Sequence, residues 1–451
     1  MMISPVHGMQ RRAAPVAGRH ATLLCFLFVV ILSVSCIPGS AAADEIAPGT
    51  TTFGISNHTG IIWRSVQIDG DQMVWAEQTP GITPGISAEV HNIYLYNFTT
   101  GTETLVSSVL QDGKARNATM WGEHPVAIAG NRIIWTTDMG IRMYDITTGK
   151  QSTLVENSED YGSHFKYDYP GISGNTIVWA QKLFGASPAP DIIAYNLTTG
   201  KKIIVSSGAW DKTGVRIDGS RIVWEDYRSG GRSRDIYLYD MATGKEQAIS
   251  TSAGIQAEPK ISGDYIVWND RRDQNWDVYL YDSATGEERV IATGINEQEA
   301  ADISGTRIVW MEWPSLLTDN SNDESSRLMM FDLSSGKEYQ VLRNIPGMFA
   351  PAISGNRIIF MDLAHIPADQ RDDPRQDPVP EISLFTLDPV TFPVSQSTST
   401  SQVNATGSPL PSPGTSPVSK TTMAPGFGTL CALSVMAAGL LFIRIKKQGP
   451  E

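Results

Sequence analysis

Residues 261–268 read Ile-Ser-Gly-Asp-Tyr-Ile-Val-Trp, and residues 277–286 read Asp-Val-Tyr-Leu-Tyr-Asp-Ser-Ala-Thr-Gly. Both phrases hold β-branched and aromatic runs bounded by turn residues, which is how short strands read. The runs are apolar on both alternating faces, as expected of a sheet covered on each side. Asp282-x-x-Thr285-Gly286 closes a hairpin, because Asp accepts a local backbone hydrogen bond and Gly supplies a positive φ. The stretch around Gly263 supplies a second turn.

The pair of phrases recurs along the chain. Its first glycine stands at Gly70, Gly130, Gly174, Gly219, Gly263, Gly305 and Gly355, at spacings of 60, 44, 45, 44, 42 and 50 residues. Five residues after each comes Trp75, Trp135, Trp179, Trp224, Trp268, Trp310 or Phe360. The second phrase is clear again at Asp235–Lys245 and fainter at Arg142–Lys150, Asp191–Lys201, Leu328–Lys337 and Ile382–Asp388. Nothing between Thr51 and Ser395 has helical periodicity. A period near 44 with four short strands is that of a propeller blade. Seven copies therefore predict an all-β chain: a seven-bladed β-propeller of four-stranded antiparallel blades over residues 51–392. The ring must close or expose its edges. The last copy lacks a clean fourth strand, and Thr51–Ser56 (TTFGIS) resembles the fourth-strand segment Glu246–Thr251 (EQAIST). It is predicted to complete blade 7, with Thr391–Val394 as a competitor weakened by Pro393.

The full phrase, Ile-Ser-Gly…Ile-Val-Trp…Tyr-Leu-Tyr-Asp…Thr-Gly, is similar to the TolB-like β-propeller repeats of methanogen cell-surface proteins, over roughly residues 51–395. That resemblance implies the fold. It does not imply an activity, because propellers host enzymes, adhesins and scaffolds alike.

The ends speak of export. Arg11, Arg12 and Arg19 precede an apolar run from Ala21 to Val34, and Ala41-Ala42-Ala43 offers a cleavage site, so residues 1–43 read as a signal peptide. A lipidated Cys36 is the rival reading, with its leucine one place too early. Residues 393–424 are rich in Ser, Thr and Pro and read as a disordered stalk. Pro425-Gly426-Phe427, an apolar run from Gly428 to Ile443, and Arg444, Lys446 and Lys447 follow. These parts (425–447) resemble the PGF-CTERM sorting signal of archaeal surface proteins. The resemblance implies an archaeosortase and a membrane lipid as partners; an ordinary transmembrane anchor helix is the alternative. Either way the expected location is the extracellular side of the cell surface, anchored at the C-terminus.

Hydrophobic residues make up 41% of the 451, which excludes global disorder. Of the 35 basic residues six lie outside residues 44–424, against one (Glu451) of the 48 acidic ones; the net charge of −13 for the whole chain becomes −18 there. Such a surface repels phosphate backbones and argues against nucleic acid. Cys25, Cys36 and Cys431 all sit in the apolar ends, so no disulfide framework or thiolate metal site is expected between them.

In a four-stranded blade, loops between strands two and three share a face with the loops joining blades. The longest insertions (Glu77–Asn92, Met311–Arg327, Met361–Glu381, and the links before Gly130 and Gly174) fall on that face. So do the tryptophans outside the repeat position: Trp63, Trp121, Trp210, Trp276 and Trp313. Trp121 and Trp210 stand nine residues before the repeat glycine, and Phe165 holds the same register in blade 3. Trp121, Phe165, Trp210, Trp276 and Trp313 are thus the candidate ligand-binding face, since aromatic rings stack on sugars and on partner proteins. The bland alternative makes them seam fillers.

Other candidates are weaker. Asp319, Asp323 and Glu324, and Asp369, Asp372, Asp373 and Asp377, fail the EF-loop pattern and read as solvated loops, so no metal or cofactor is expected. Asp226/Arg228 and Asp270/Arg272 follow the repeat Trp and read as structural ion pairs. Among His58, His91, His124, His164 and His365, the trio His91, His124 and His164 could form a metal or acid/base set, with ordinary surface or core histidines as the favoured reading. Asn57, Asn97, Asn117, Asn196 and Asn404 head glycosylation sequons, although turn chemistry alone explains Asn97 and Asn196. The nucleophile elbow, zincin and phosphate-loop motifs are all missing. The favoured expectation is a non-enzymatic binding or scaffold module for an envelope glycan or protein. The alternative is an extracellular lyase or hydrolase acting on carbohydrate at the axis.

Overall fold

Each copy of the repeat folds into one antiparallel sheet of four strands, giving seven sheets. The computed structural model describes residues 45–392 apart from 57, 59–60, 63–64, 81–88, 112–125, 138–139, 157–164, 184–188, 231–232, 314–325, 345–347, 363–380 and 390. The segments expected to be a signal peptide, a stalk and a sorting tail with Pro425, Gly426 and Phe427 lie outside the described residues. Strands are numbered β1–β28 in chain order. The first strands of blades 1 to 7 are β2 (Gln67–Asp69), β6 (Val126–Ala129), β10 (Phe165–Ser173), β14 (Lys212–Asp218), β18 (Gln256–Ser262), β22 (Glu297–Ser304) and β26 (Phe349–Ser354). Each touches the first strand of the next blade, and β26 touches β2. The chain is a closed seven-bladed propeller. No helix occurs among the described residues.

Blade 7 is completed from the other end of the chain. β1 (Gly49–Ser56) pairs antiparallel with β28 (Glu381–Leu387), from Gly49↔Leu387 to Ser56↔Ile382. TTFGIS therefore takes the fourth place, as its sequence predicts, while Thr391 and Phe392 form no strand. Phe392 is buried against Tyr339, ring centroids 5.2 Å apart. The residues ahead of β1 reach one blade further. The Ala47 N–H donates to Gln340 O and the Gln340 N–H to Glu45 O, both at 3.0 Å, on β25 (Lys337–Arg343) of blade 6.

The repeated residues are explained by bonds between blades. All seven repeat glycines have φ between +54° and +60°, a conformation costly for any residue with a Cβ. The residue before each glycine accepts from the next blade's glycine N–H: Asp69 from Gly130 (2.6 Å), Ser173 from Gly219 (3.0 Å), Asp218 from Gly263 (2.7 Å), Ser262 from Gly305 (2.9 Å), Ser304 from Gly355 (3.0 Å) and Ser354 from Gly70 (2.9 Å). The last of these closes the ring. Blade 2 carries Ala129 there, which has no acceptor to offer Gly174. Arg132, Arg221, Arg307 and Arg357, two residues after their glycines, donate to the next blade's glycine carbonyl at 2.9–3.2 Å. The repeat Trp side chains and Phe360 are no more than 3% exposed and fill the seams.

A second regularity is invisible in the motif. Tyr169, Gly214, Glu258, Ala300 and Ala350, each five residues before its glycine, have φ between +51° and +61°, and the pairing of the first strand shifts register there. These are β-bulges at one level of the axis in five consecutive blades. Blade 1 departs from the expectation of a long loop. β3 (Gln72–Pro80) and β4 (Glu89–Asn97) stay paired out to Pro80↔Glu89, so much of the insertion is extended hairpin.

Candidate functional site

The loop between blades 3 and 4 carries the most exposed of the candidate aromatics. Trp210 is 50% exposed and so plugs no seam. Its backbone is held from below by Lys212, which is 2% exposed and donates from Nζ to Trp210 O (2.9 Å) and Pro190 O (3.4 Å). Burial lowers the Lys212 pKa, while Asp226 and Asp191 act in the other direction. The carbonyls in the same register, nine residues before the repeat glycine, belong to Gly254 and Asn296. Ser233 Oγ serves the first (3.1 Å) and Asn275 Nδ2 the second (3.1 Å). Both donors stand two residues before the third strand of their blade. Blade 3 has Ala189 in that position, which cannot donate, and the Lys212 ammonium does the job instead.

The other aromatics are placed differently. Trp276 is half-buried, with the Arg271 guanidinium 5.6 Å from its ring centroid, and its backbone N–H donates to the Glu297 carboxylate (2.8 Å). Trp313 is half-buried, packs on the core shared by blades 6 and 7, and lines an axial cavity. Phe165 opens β10. Trp63 and Trp121 lie outside the described residues, as do both acidic loop clusters and His124, His164 and His365.

The remaining polar candidates are engaged in structure. Asp226 is fully buried and accepts from Trp224 Nε1 (2.9 Å) and Arg228 (2.6 Å), whose guanidinium lies 4.0 Å from the Tyr237 centroid. Asp270, Trp268, Arg272 and Tyr279 repeat this in blade 5, with the ion pair at 2.5 Å. His58 sits between two carboxylates, Nδ1 to Glu77 (3.0 Å) and Nε2 to Glu103 (2.8 Å), with Tyr94 against its ring at 4.2 Å. His91 is buried in β4. Asn97 Oδ1 accepts from the Thr99 and Thr100 N–H groups, and Asn196 Oδ1 from those of Thr198 and Thr199, at 2.9–3.0 Å. Turn chemistry accounts for both; Asn57, Asn117 and Asn404 lie outside the described residues.

The axis itself holds the chemistry that motif reading missed. A cavity of about 390 Å³ is lined by the first strands of all seven blades. Three residues before the repeat glycines, blades 4, 5 and 6 present Arg216, Lys260 and Asp302, while blades 2 and 3 present Ala127 and Gly171. Lys260 Nζ is 3.9 Å from Asp302, whose other oxygen accepts from the Ile353 N–H (2.9 Å). Burial lowers the Arg216 pKa against the pull of Tyr169, Asp302, Glu258 and Glu225. Toward the loop face lies a second cavity of about 200 Å³, lined by Glu258, Lys260, Glu299, Trp313 and Phe349 among others.

No family model and no curated protein matches this chain. Solved structures do. A puromycin hydrolase is similar at 14% identity and a TM-score of 0.54, over 75% of this chain and 53% of that one, so this chain spans about half of it. The β-propeller domain of the Trilobed protease from Pyrococcus furiosus is similar at 10% identity and a TM-score of 0.50, over 74% and 94%. That domain has an open velcro topology; here β1 and β28 pair. A putative TolB from Agrobacterium tumefaciens matches at 15% identity over 57% of this chain and 90% of that one, with a TM-score of 0.38 that carries no further argument. At these identities the likeness is one of fold.

One buried acid near the loop face responds to pH. Asp277 is fully buried, and burial pushes its carboxyl up to about 6 despite hydrogen bonds from Thr293, Asn275 and the Gly294 N–H. Its Oδ2 finds no partner among the described residues. A carboxyl raised in the folded state favours folding below its ordinary value near 3.9, and that contribution is lost as pH rises through about 6. Asp277→Asn is therefore expected to stabilise the protein by about 1–3 kcal/mol at pH 8 and by almost nothing at pH 4. Urea unfolding at the two pH values checks this. A variant less stable than wild type at pH 8 contradicts it.

Proposed function

We propose that this chain is an exported, membrane-anchored binding module that presents the loop face of its propeller to an envelope glycan or protein. One observation carries the reading: Trp210, half exposed, stands on a loop whose carbonyl is fixed from beneath by a buried lysine. A large ring displayed on a backbone that does not yield loses little entropy on binding. The basic, apolar and small-residue order of residues 1–43 supports export. The Ser/Thr/Pro stalk and the Pro425-Gly426-Phe427 tail support a tether, trimmed by an archaeosortase and joined to lipid. The acidic surface supports a partner other than nucleic acid.

The test is to screen the full chain against a glycan array and against envelope extract, beside Trp210→Ala. The expected result is retention of a ligand that the variant loses at least about tenfold, as for an interface hot spot. Unfolding stability should stay within about 0.5 kcal/mol, because the ring is exposed. Turnover of a polysaccharide without retention of any ligand would replace binding by catalysis.

A further inference from the structure

Three consecutive seams share one register and fill it in two ways. Seven residues before the repeat glycine stand Lys212, Gln256 and Gln298, in blades 4, 5 and 6. Asp191, Asp235 and Asp277 open the third strand of the blade before each. Main-chain contacts hold the two positions together. The Gln256 N–H donates to Arg234 O, one residue before Asp235 (2.9 Å), and the Gln298 N–H to Trp276 O, one residue before Asp277 (2.8 Å). Lys212 reaches the matching carbonyl, Pro190 O, with Nζ (3.4 Å) and brings a positive charge to Asp191. One seam on, Ser233 Oγ takes over the lysine's hydrogen bond to the loop, at Gly254 O (3.1 Å), but not its charge.

Asp235 and Gln256 are both buried. The Ser229 hydroxyl donates to Asp235 Oδ2, and Asp235 Oδ1 finds no partner among the described residues. Gln256 Nε2 donates to Asp270 Oδ1 (3.4 Å), and Gln256 Oε1 likewise finds no partner. The guanidiniums of these two blades' rims are committed: Arg228 to Asp226 and Glu246, Arg234 to Glu225, and Arg272 to Asp270 and Glu288. The same two orphan acceptors recur in the next seam, at Asp277 Oδ2 and Gln298 Oε1, where burial pushes the carboxyl toward its neutral form.

We propose that the seam between blades 4 and 5 binds a monovalent inorganic cation through Asp235 and Gln256. Two buried oxygens lack donors, and one belongs to a carboxylate. A water would meet their hydrogen bonds and leave the buried charge unbalanced; a cation meets both needs. Amide and backbone carbonyl oxygens can replace the hydration shell of such an ion. One carboxylate among neutral oxygens suits a single charge, as the Lys212 ammonium shows one seam earlier. Calcium takes about six to eight oxygens, and no group of three or more His, Cys, Asp or Glu fit to hold a metal occurs among the described residues. The site is independent of Trp210 and of the loop-face reading.

The probes are potassium chloride and sodium chloride, each exchanged for choline chloride at constant ionic strength during urea unfolding of the full chain at pH 8. Choline is too large for a buried seam. The expected result is a saturable rise of the urea midpoint with at least one of the two ions. The unfolding constant should fall about tenfold when that ion stands at about ten times its dissociation constant. Asp235→Asn should fold and lose this dependence. Gln256→Lys carries its own ammonium, as blade 4 does, so it too should lose the dependence and should be more stable than wild type in choline chloride. If Asp235→Asn does not fold, Gln256→Lys decides alone. Asp273→Asn, an exposed acid, should keep the dependence. A wild-type midpoint equal in all three salts, a dependence that persists in folded Asp235→Asn or Gln256→Lys, its loss in Asp273→Asn, or stabilisation by calcium chloride in place of the monovalent ions would each overturn the proposal.

Discussion

Removing Glu45–Ser56 is expected to leave no stable folded monomer. This segment is the fourth strand of blade 7, and its leading residues are hydrogen-bonded to the edge of blade 6. Without it β28 becomes an edge, with a row of unpaired backbone groups beside the core that buries Phe385 and Leu387. Exposed edges of this kind recruit other chains. The loss should exceed about 5 kcal/mol, comparable with the whole stability of many domains. Size-exclusion chromatography with light scattering should show aggregates in place of a monomer, and urea should give no cooperative transition. A synthetic peptide of residues 45–56, added during refolding, should restore the monomer. A truncated monomer that unfolds cooperatively within about 1 kcal/mol of the full chain would show that the Ser354 and Arg357 contacts to Gly70 suffice to close the ring.

Those contacts show which part of the fold could be read in advance. Each letter of the Ile-Ser-Gly…Ile-Val-Trp phrase has a duty that recurs in most seams, so periodicity exposes it: glycine for its φ, serine or aspartate for the next blade's N–H, tryptophan for the space between sheets. The bulges at Tyr169, Glu258, Ala300 and Ala350 recur just as faithfully but were not legible. The conformation is imposed by the surrounding ring rather than chosen by the residue, and four different side-chain types, counting Gly214, occupy it. The axial residues escaped for a related reason. Arg216, Lys260 and Asp302 stand 44 and 42 residues apart, and only closure of the ring brings them to one level. Trp210 was legible as an aromatic outside the repeat position. Its support was not, because the clue is distributed: a donor absent at Ala189 is supplied by Lys212, two residues beyond the ring it steadies.

The buried acid of blade 4 gives the second large effect. Asp226 accepts hydrogen bonds from the Trp224 indole and from the Arg228 backbone and guanidinium, and Arg228 in turn lies on Tyr237 and reaches Glu246 (2.7 Å). Burial alone would push this carboxyl up. The bonds from Arg228 and Trp224 outweigh burial and hold it below the usual carboxylate range. Glutamate at the same place fails to do this: Glu77 and Glu312, two residues after Trp75 and Trp310, serve His58 and Arg327, and those indole N–H groups find no partner among the described residues. Length alone does not decide this, since Gln181, two residues after Trp179, accepts from that indole (3.2 Å). Asp226→Ala strands a buried indole N–H and an arginine that is one-third exposed, so the loss should be about 2–4 kcal/mol, below the figure for a wholly buried pair. The sign with pH follows from the lowered carboxyl. The wild-type advantage should be full above its ordinary value near 3.9 and should shrink as pH falls through the lower value it has in the fold. Urea midpoints of wild type and Asp226→Ala from pH 7 to pH 2.5 measure it. A gap that stays constant down to pH 2.5 would mean that packing, and not the charge of Asp226, holds the tryptophan in its seam.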